Sequence, residues 1–118
     1  MDIYKKFSFD SAHYLPNLPE DHKCKRMHGH TFNVEIHISG PIDEKIGWIM
    51  DFGDVKEVCG PVINQLDHIV LNEVSGLENP TSENLAVWIW KKVHPKLPQL
   101  KKIIVSETCS TGCIYRGD

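Results

Sequence analysis

The run at 30–39 constrains this chain most tightly. Phe32, Val34, Ile36 and Ile38 alternate there with Thr31, Asn33, Glu35, His37 and Ser39. Side chains on a strand point to opposite faces in turn, so the run predicts a strand with one buried face. His28 and His30 extend the apolar parity backwards beyond Phe32. Residues 3–13 carry a second such pattern. Ile3, Phe7 and Phe9 share one parity, Tyr4, Lys6, Ser8 and Asp10 share the other, and His13 continues the apolar set. Each strand therefore brings histidine onto its apolar face at one end. If the two strands pair, three imidazoles converge.

Between these strands, residues 14–27 hold two prolines and no clean period, which predicts a long loop. Gly40-Pro41-Ile42-Asp43 reads as a turn and Gly47–Met50 as a returning strand, so that residues 30–50 form a hairpin. Asp51 can cap a helix beginning near Phe52, with Val55, Val58, Val62, Ile63 and Leu66 at helical spacing. Pro61 is expected to kink or interrupt it. Thr81 or Ser82 can cap a second helix whose apolar stripe is Leu85, Ile89 and Val93 and which closes at Pro95. Trp88 and Trp90 read as packing residues. Residues 101–109 form another strand, with Ile103, Val105, Glu107 and Cys109 on one face, and residues 113–116 a last short one. The order β-β-β-α-α-β-β predicts an α+β fold, an antiparallel sheet with two helices packed on one face. The chain of 118 residues is read as a single domain, 1–118.

Composition excludes several function classes. The net charge is −3, which gives no basic surplus for a nucleic-acid backbone. No apolar run is long enough to span a bilayer. The opening Met1-Asp2-Ile3-Tyr4-Lys5-Lys6 lacks the apolar core of a signal peptide, so a cytoplasmic protein is expected. In that setting Cys24, Cys59, Cys109 and Cys113 are expected to be thiols. Seven histidines are the unusual count, against about two or three for ordinary usage at this length.

The candidate chemistry lies in four places. His13 with His28-Gly29-His30 offers three neutral nitrogens and an open position, which suits a catalytic zinc and also other imidazole-loving metals. Cys24 stands among Lys23, Lys25 and Arg26, four residues before His28, and such cations favour a thiolate. In Asp67-His68 a carboxylate can orient an imidazole for proton transfer. Glu107 shares the parity of Ile103 and Val105, so it points toward a buried region where it needs partners, such as the paired N–H donors of a heterocycle.

Together these residues resemble the 6-pyruvoyl-tetrahydropterin synthase family over nearly the whole chain. The resemblance is carried by Phe9-Asp10-Ser11-Ala12-His13, Cys24-Lys25-Arg26-Met27-His28-Gly29-His30, Trp48-Ile49-Met50-Asp51-Phe52, Leu66-Asp67-His68, Glu78-Asn79-Pro80-Thr81-Ser82-Glu83 and Glu107-Thr108-Cys109. The short gap between Cys24 and His28 and the ending Cys113-Ile114-Tyr115-Arg116-Gly117 look like the bacterial branch that serves queuosine biosynthesis. The resemblance implies a tunnelling fold, in which sheets join edge to edge into a barrel and two rings stack as a homohexamer, with active sites between subunits. It implies conversion of 7,8-dihydroneopterin triphosphate to 6-carboxy-5,6,7,8-tetrahydropterin, acetaldehyde and triphosphate. The related alternatives are the 6-pyruvoyl-tetrahydropterin reaction and a non-catalytic, metal-stabilised pterin-binding module. The resemblance further implies Zn2+ on His13, His28 and His30, Cys24 as general base, and Asp67 and His68 as a second proton-handling pair. Glu107 and the Thr108 backbone would anchor the pterin. Lys23, Lys25, Arg26 and Arg116 are candidates for the triphosphate.

Overall fold

The computed structural model describes residues 1–118. Strands β1 (Asp2–His13), β2 (His28–Ser39), β3 (Leu100–Ser106) and β4 (Cys113–Tyr115) form one antiparallel sheet in the order β1-β2-β3-β4. Helices α1 (Phe52–Asn64) and α2 (Ser82–Val93) lie between β2 and β3 in sequence. β1 and β2 pair along their full length, from Asp2 opposite Ser39 to His13 opposite His28. The inward face carries Phe9, Phe32, Val34, Ile36, Ile38, Ile103 and Val105. It packs on Val55, Cys59 and Val62 of α1 and on Leu85, Ile89 and Val93 of α2, in one continuous core. The expected sheet with two helices on one face is therefore present.

Two expectations about the strands are overturned. Gly47–Met50 is not a strand, and residues 30–50 are not a hairpin. β1 and β3 occupy the two edges of β2, so β2 has no edge left for a returning strand. Residues 43–48 instead close on themselves. The Asp43 carboxylate accepts from the Lys45 and Ile46 amides, the Gly47 amide bonds the Asp43 carbonyl, and the Asp43 amide bonds the Trp48 carbonyl. Such side-chain capping of its own turn is a habit of aspartate. The strand expected over 101–109 ends at Ser106, so Glu107 lies just beyond it and Cys109 is exposed.

The helices start as expected. The Asp51 carboxylate accepts from the Gly53 amide, and the Thr81 hydroxyl accepts from the Asn84 amide. Pro61 does not interrupt α1, which runs on to Asn64. Its ring removes one amide only a turn from the helix end, and its carbonyl still receives the Gln65 amide at 3.3 Å. The tryptophans pack, as expected. Trp88 donates to the Ser75 carbonyl, and Trp90 stacks on His94 and meets Tyr115 edge-on. No helix is long and apolar enough to cross a membrane.

Phe32 links the core to the histidine end of the sheet. It is fully buried and stacks on Phe9 at 4.9 Å, while the rings of His13 and His30 meet it edge-on at 5.3 and 5.5 Å. Phe32→Ala removes the floor beneath two imidazoles as well as core volume. Urea denaturation at fixed protein concentration should show a loss of about 3–5 kcal/mol. A loss below about 1 kcal/mol would contradict this packing.

Candidate active site

The β1–β2 register builds the centre of the site. His13 pairs with His28 and Ser11 with His30, so all three histidines share the inward face at one end of the sheet. Ring centroids lie 4.6 Å (His13–His28), 5.2 Å (His13–His30) and 4.9 Å (His28–His30) apart. One nitrogen from each ring falls within 4.8 Å of the others. Two rings are oriented by backbone. His13 Nδ1 donates to the Pro80 carbonyl at 2.8 Å, and His28 Nδ1 donates to the Arg26 carbonyl at 2.7 Å. Each of these rings is thereby left with a free Nε2 lone pair when neutral, the arrangement seen when a second partner holds a metal-binding imidazole.

His13 is fully buried, and its Nε2 has no hydrogen-bond partner. Burial, first among the causes, pushes its imidazole below the usual range and so keeps it neutral near pH 7. A buried acceptor without a partner is costly. A cation among the three rings would satisfy it. The donor set of three neutral nitrogens fits zinc, with copper, iron or nickel as the other imidazole-bound metals.

Glu107 and Cys24 join this centre. A cavity of about 470 Å³ is lined by Lys23, Cys24, His28, His30, Glu107 and Thr108, a volume that suits a small heterocyclic ligand. Cys24 sits in a single 3-10 turn, Lys23–Lys25, whose start is capped by His22, with Nδ1 accepting from the Cys24 amide at 3.1 Å. Glu107 Oε2 lies 3.6 Å from His30 Nε2, and Oε1 accepts from the Ser82 hydroxyl at 2.9 Å. Glu107 also borders a second cavity of about 270 Å³ with Thr81, Ser82, Glu83 and Thr111. In the hairpin that presents Glu107 and Thr108, a Cβ on Gly112 would stand 2.6 Å from Ser106 Oγ and 3.1 Å from the Val105 carbonyl, so a larger residue there would have to displace Ser106. Of the basic residues near Cys24, Lys25 is already paired with Glu20.

Asp67 and His68 sit elsewhere. They run along the free edge of β1, on the side away from β2. Asp67 Oδ1 accepts from the Asp10 amide at 3.0 Å and bonds His68 Nδ1 at 2.9 Å. His68 is the one non-glycine residue with a left-handed backbone, φ 57°. That conformation turns the chain so that the Ile69 carbonyl receives the Ala12 amide and Val70 bridges Ala12. The pair is in contact, as adjacency alone does not ensure. It does not line the cavity of Cys24 and Glu107 within one chain.

The family profile described as 6-pyruvoyl tetrahydropterin synthase matches residues 2–118. The chain belongs to the 6-pyruvoyl tetrahydropterin synthase family. It is 40% identical to the 6-carboxy-5,6,7,8-tetrahydropterin synthase of Synechocystis sp., over 96% of this chain and 91% of that protein. It is 37% identical to the dihydroneopterin monophosphate aldolase of Pyrococcus furiosus, over 89% of this chain and 88% of the relative. The fold matches the Caenorhabditis elegans 6-pyruvoyl tetrahydropterin synthase with a TM-score of 0.92 at 25% identity, covering 100% of this chain and 96% of the other.

Within this family member the fold gathers His13, His28, His30, Cys24, Glu107 and Thr108, and holds Asp67 with His68 apart from them. Two contributors escaped the sequence reading, the Pro80 carbonyl that orients His13 and the Ser82 hydroxyl on Glu107. In the sequence, Asn79-Pro80-Thr81-Ser82 reads as a helix start and as part of the family resemblance, and neither assigns a partner to Pro80 or Ser82. No pattern in one strand or helix marks a carbonyl as a partner for a histidine 67 residues away.

The Asp10 amide first, and His68 second, hold the Asp67 carboxyl below the usual carboxylate range. A depressed carboxyl adds stability above its unfolded pKa and loses it as pH falls through the folded one. Asp67→Asn keeps an acceptor for the amide but not the titration. The wild type should therefore lose more stability than Asp67→Asn as pH drops below about 4 in urea melts. Parallel curves would contradict the assignment.

Proposed function

We propose that this chain converts 7,8-dihydroneopterin triphosphate and water to 6-carboxy-5,6,7,8-tetrahydropterin, acetaldehyde and triphosphate, as a lyase of queuosine biosynthesis. The observation that carries this reading is one cavity lined by Cys24, Glu107 and two histidines of the three-histidine cluster, His28 and His30. The similarity to the Synechocystis 6-carboxy-5,6,7,8-tetrahydropterin synthase supports the choice of product.

His13, His28 and His30 would hold the metal, zinc in this reading. Bound there, it supplies Lewis acidity that eases negative charge developing on the substrate's side-chain oxygens. Glu107 accepts the guanidine-like N–H edge of the pterin, with the Thr108 backbone beside it, in the bidentate manner of a carboxylate on arginine. Cys24, on the wall of the same cavity, removes a carbon-bound proton as general base. Lys23, Arg26 and Arg116 are free of carboxylate partners and can meet the triphosphate; Lys25 would have to leave Glu20 to do so.

Asp67 and His68 need a second copy of the chain to reach this cavity. β1 and β4 are the sheet's two edge strands. Edge-to-edge joining of copies into a barrel satisfies such strands and brings the exposed His68 of one copy toward the cavity of another. A homohexamer, a dimer of trimers, accommodates this arrangement. The four free thiols are consistent with a cytoplasmic setting.

Mass analysis after incubation with dihydroneopterin triphosphate should find carboxytetrahydropterin together with acetaldehyde. A pyruvoyl product, or release of an aldehyde from a monophosphate substrate alone, would replace this reading with one of the sister activities. Cys24→Ala should lower kcat by about a hundredfold or more while pterin affinity holds. Mixed oligomers of Cys24→Ala and His68→Ala chains should regain activity that neither variant has alone. Failure to regain any would contradict a site shared between copies.

A further inference from the structure

Glu107 is the first residue beyond β3, so no ladder hydrogen bond of that strand fixes its position. Its carboxylate reaches in two directions. Oε2 lies 3.6 Å from His30 Nε2, beside the three-imidazole cluster. Oε1 is held by the Ser82 hydroxyl at 2.9 Å, in a half-buried position. Ser82 is the first residue of α2, and the helix cap is supplied by its neighbour Thr81. The Ser82 hydroxyl is therefore not needed to start the helix.

A carboxylate beside three imidazoles could complete a closed four-ligand set, which would leave no place for substrate. We propose that Ser82 is a positioning residue whose hydroxyl holds Glu107 toward the heterocycle and out of the ligand set of His13, His28 and His30. This rests on the reading of Glu107 as the pterin anchor. A hydroxyl suits the task because it is neutral. It occupies one lone pair of the carboxylate and leaves intact the charge that recognises a guanidine-like edge. Pro80, two residues earlier, orients His13 through its carbonyl. One short segment at the start of α2 thus sets both the metal ligand and the anchor.

Ser82→Ala retains the Thr81 cap and places a good helix former in the first turn, so the fold should hold. Two affinities separate the outcomes: neopterin, a non-reacting pterin, titrated into zinc-loaded protein, and zinc measured by competition with a chromophoric chelator. In Ser82→Ala the anchor carboxylate loses the hydrogen bond that orients it, and neopterin should bind about tenfold more weakly. Zinc should bind about tenfold more tightly. Ser82→Thr should restore both values, and Ser82→Ala with Glu107→Gln should remove the gain in zinc affinity. Unchanged zinc affinity in Ser82→Ala overturns the proposal, whatever neopterin does. Glu107→Gln distinguishes the two levels of failure. If Glu107→Gln itself leaves neopterin affinity unchanged, the anchor reading fails. If it weakens neopterin binding while Ser82→Ala behaves as wild type, only the role of Ser82 fails.

Discussion

The pairing of β1 with β2 is the constraint on which the site depends. Twelve residues of one strand oppose twelve of the other without a bulge. Because side chains alternate, a slip of one residue would turn His28 and His30 to the opposite face and Phe32, Val34, Ile36 and Ile38 with them. Core and histidine cluster are therefore specified by one parity. The apolar half of each strand resists slippage, and the histidine half inherits the register at no separate cost. This explains how three imidazoles, one of them fully buried with its Nε2 unpartnered, can be held together at one end of the sheet.

The second ordering element is the start of α2. Its cap, its preceding carbonyl and its first hydroxyl serve three different ends within residues 80–82: His13 orientation, helix initiation and the Glu107 contact. α2 is itself seated through Leu85, Ala86, Ile89 and Val93, all buried. Packing of that apolar stripe thus reaches the site through a rigid helix. The loop bearing Cys24 is tied instead by local bonds: the Leu15 amide on the Cys24 carbonyl, the His22 cap and the Lys25–Glu20 pair.

Much of this was legible in the amino-acid sequence because it is local or periodic. The parity of His13 with Phe9, and of His28 and His30 with Phe32, needed only the twofold repeat of a strand. The caps at Asp51 and Thr81 needed only side chains that bond the next turn. What the sequence hid is competition between segments. Gly47–Met50 reads as a strand until β3, more than fifty residues later, claims the edge of β2 it would need. Glu107 reads as a strand residue because its parity outlasts the ladder, which stops at Ser106. The separation of Asp67-His68 from Cys24 follows from the side of β1 on which the chain returns, and no residue near 67 encodes that side.

The account stands or falls on whether the three imidazoles form a single metal site. The direct measurement is elemental analysis of the purified protein after zinc loading and removal of free ion. About one zinc per chain is expected in the wild type, and close to none in a His13/His28/His30→Ala variant whose helical circular dichroism is retained. Stoichiometric zinc in that variant, or none in the wild type, would contradict the account.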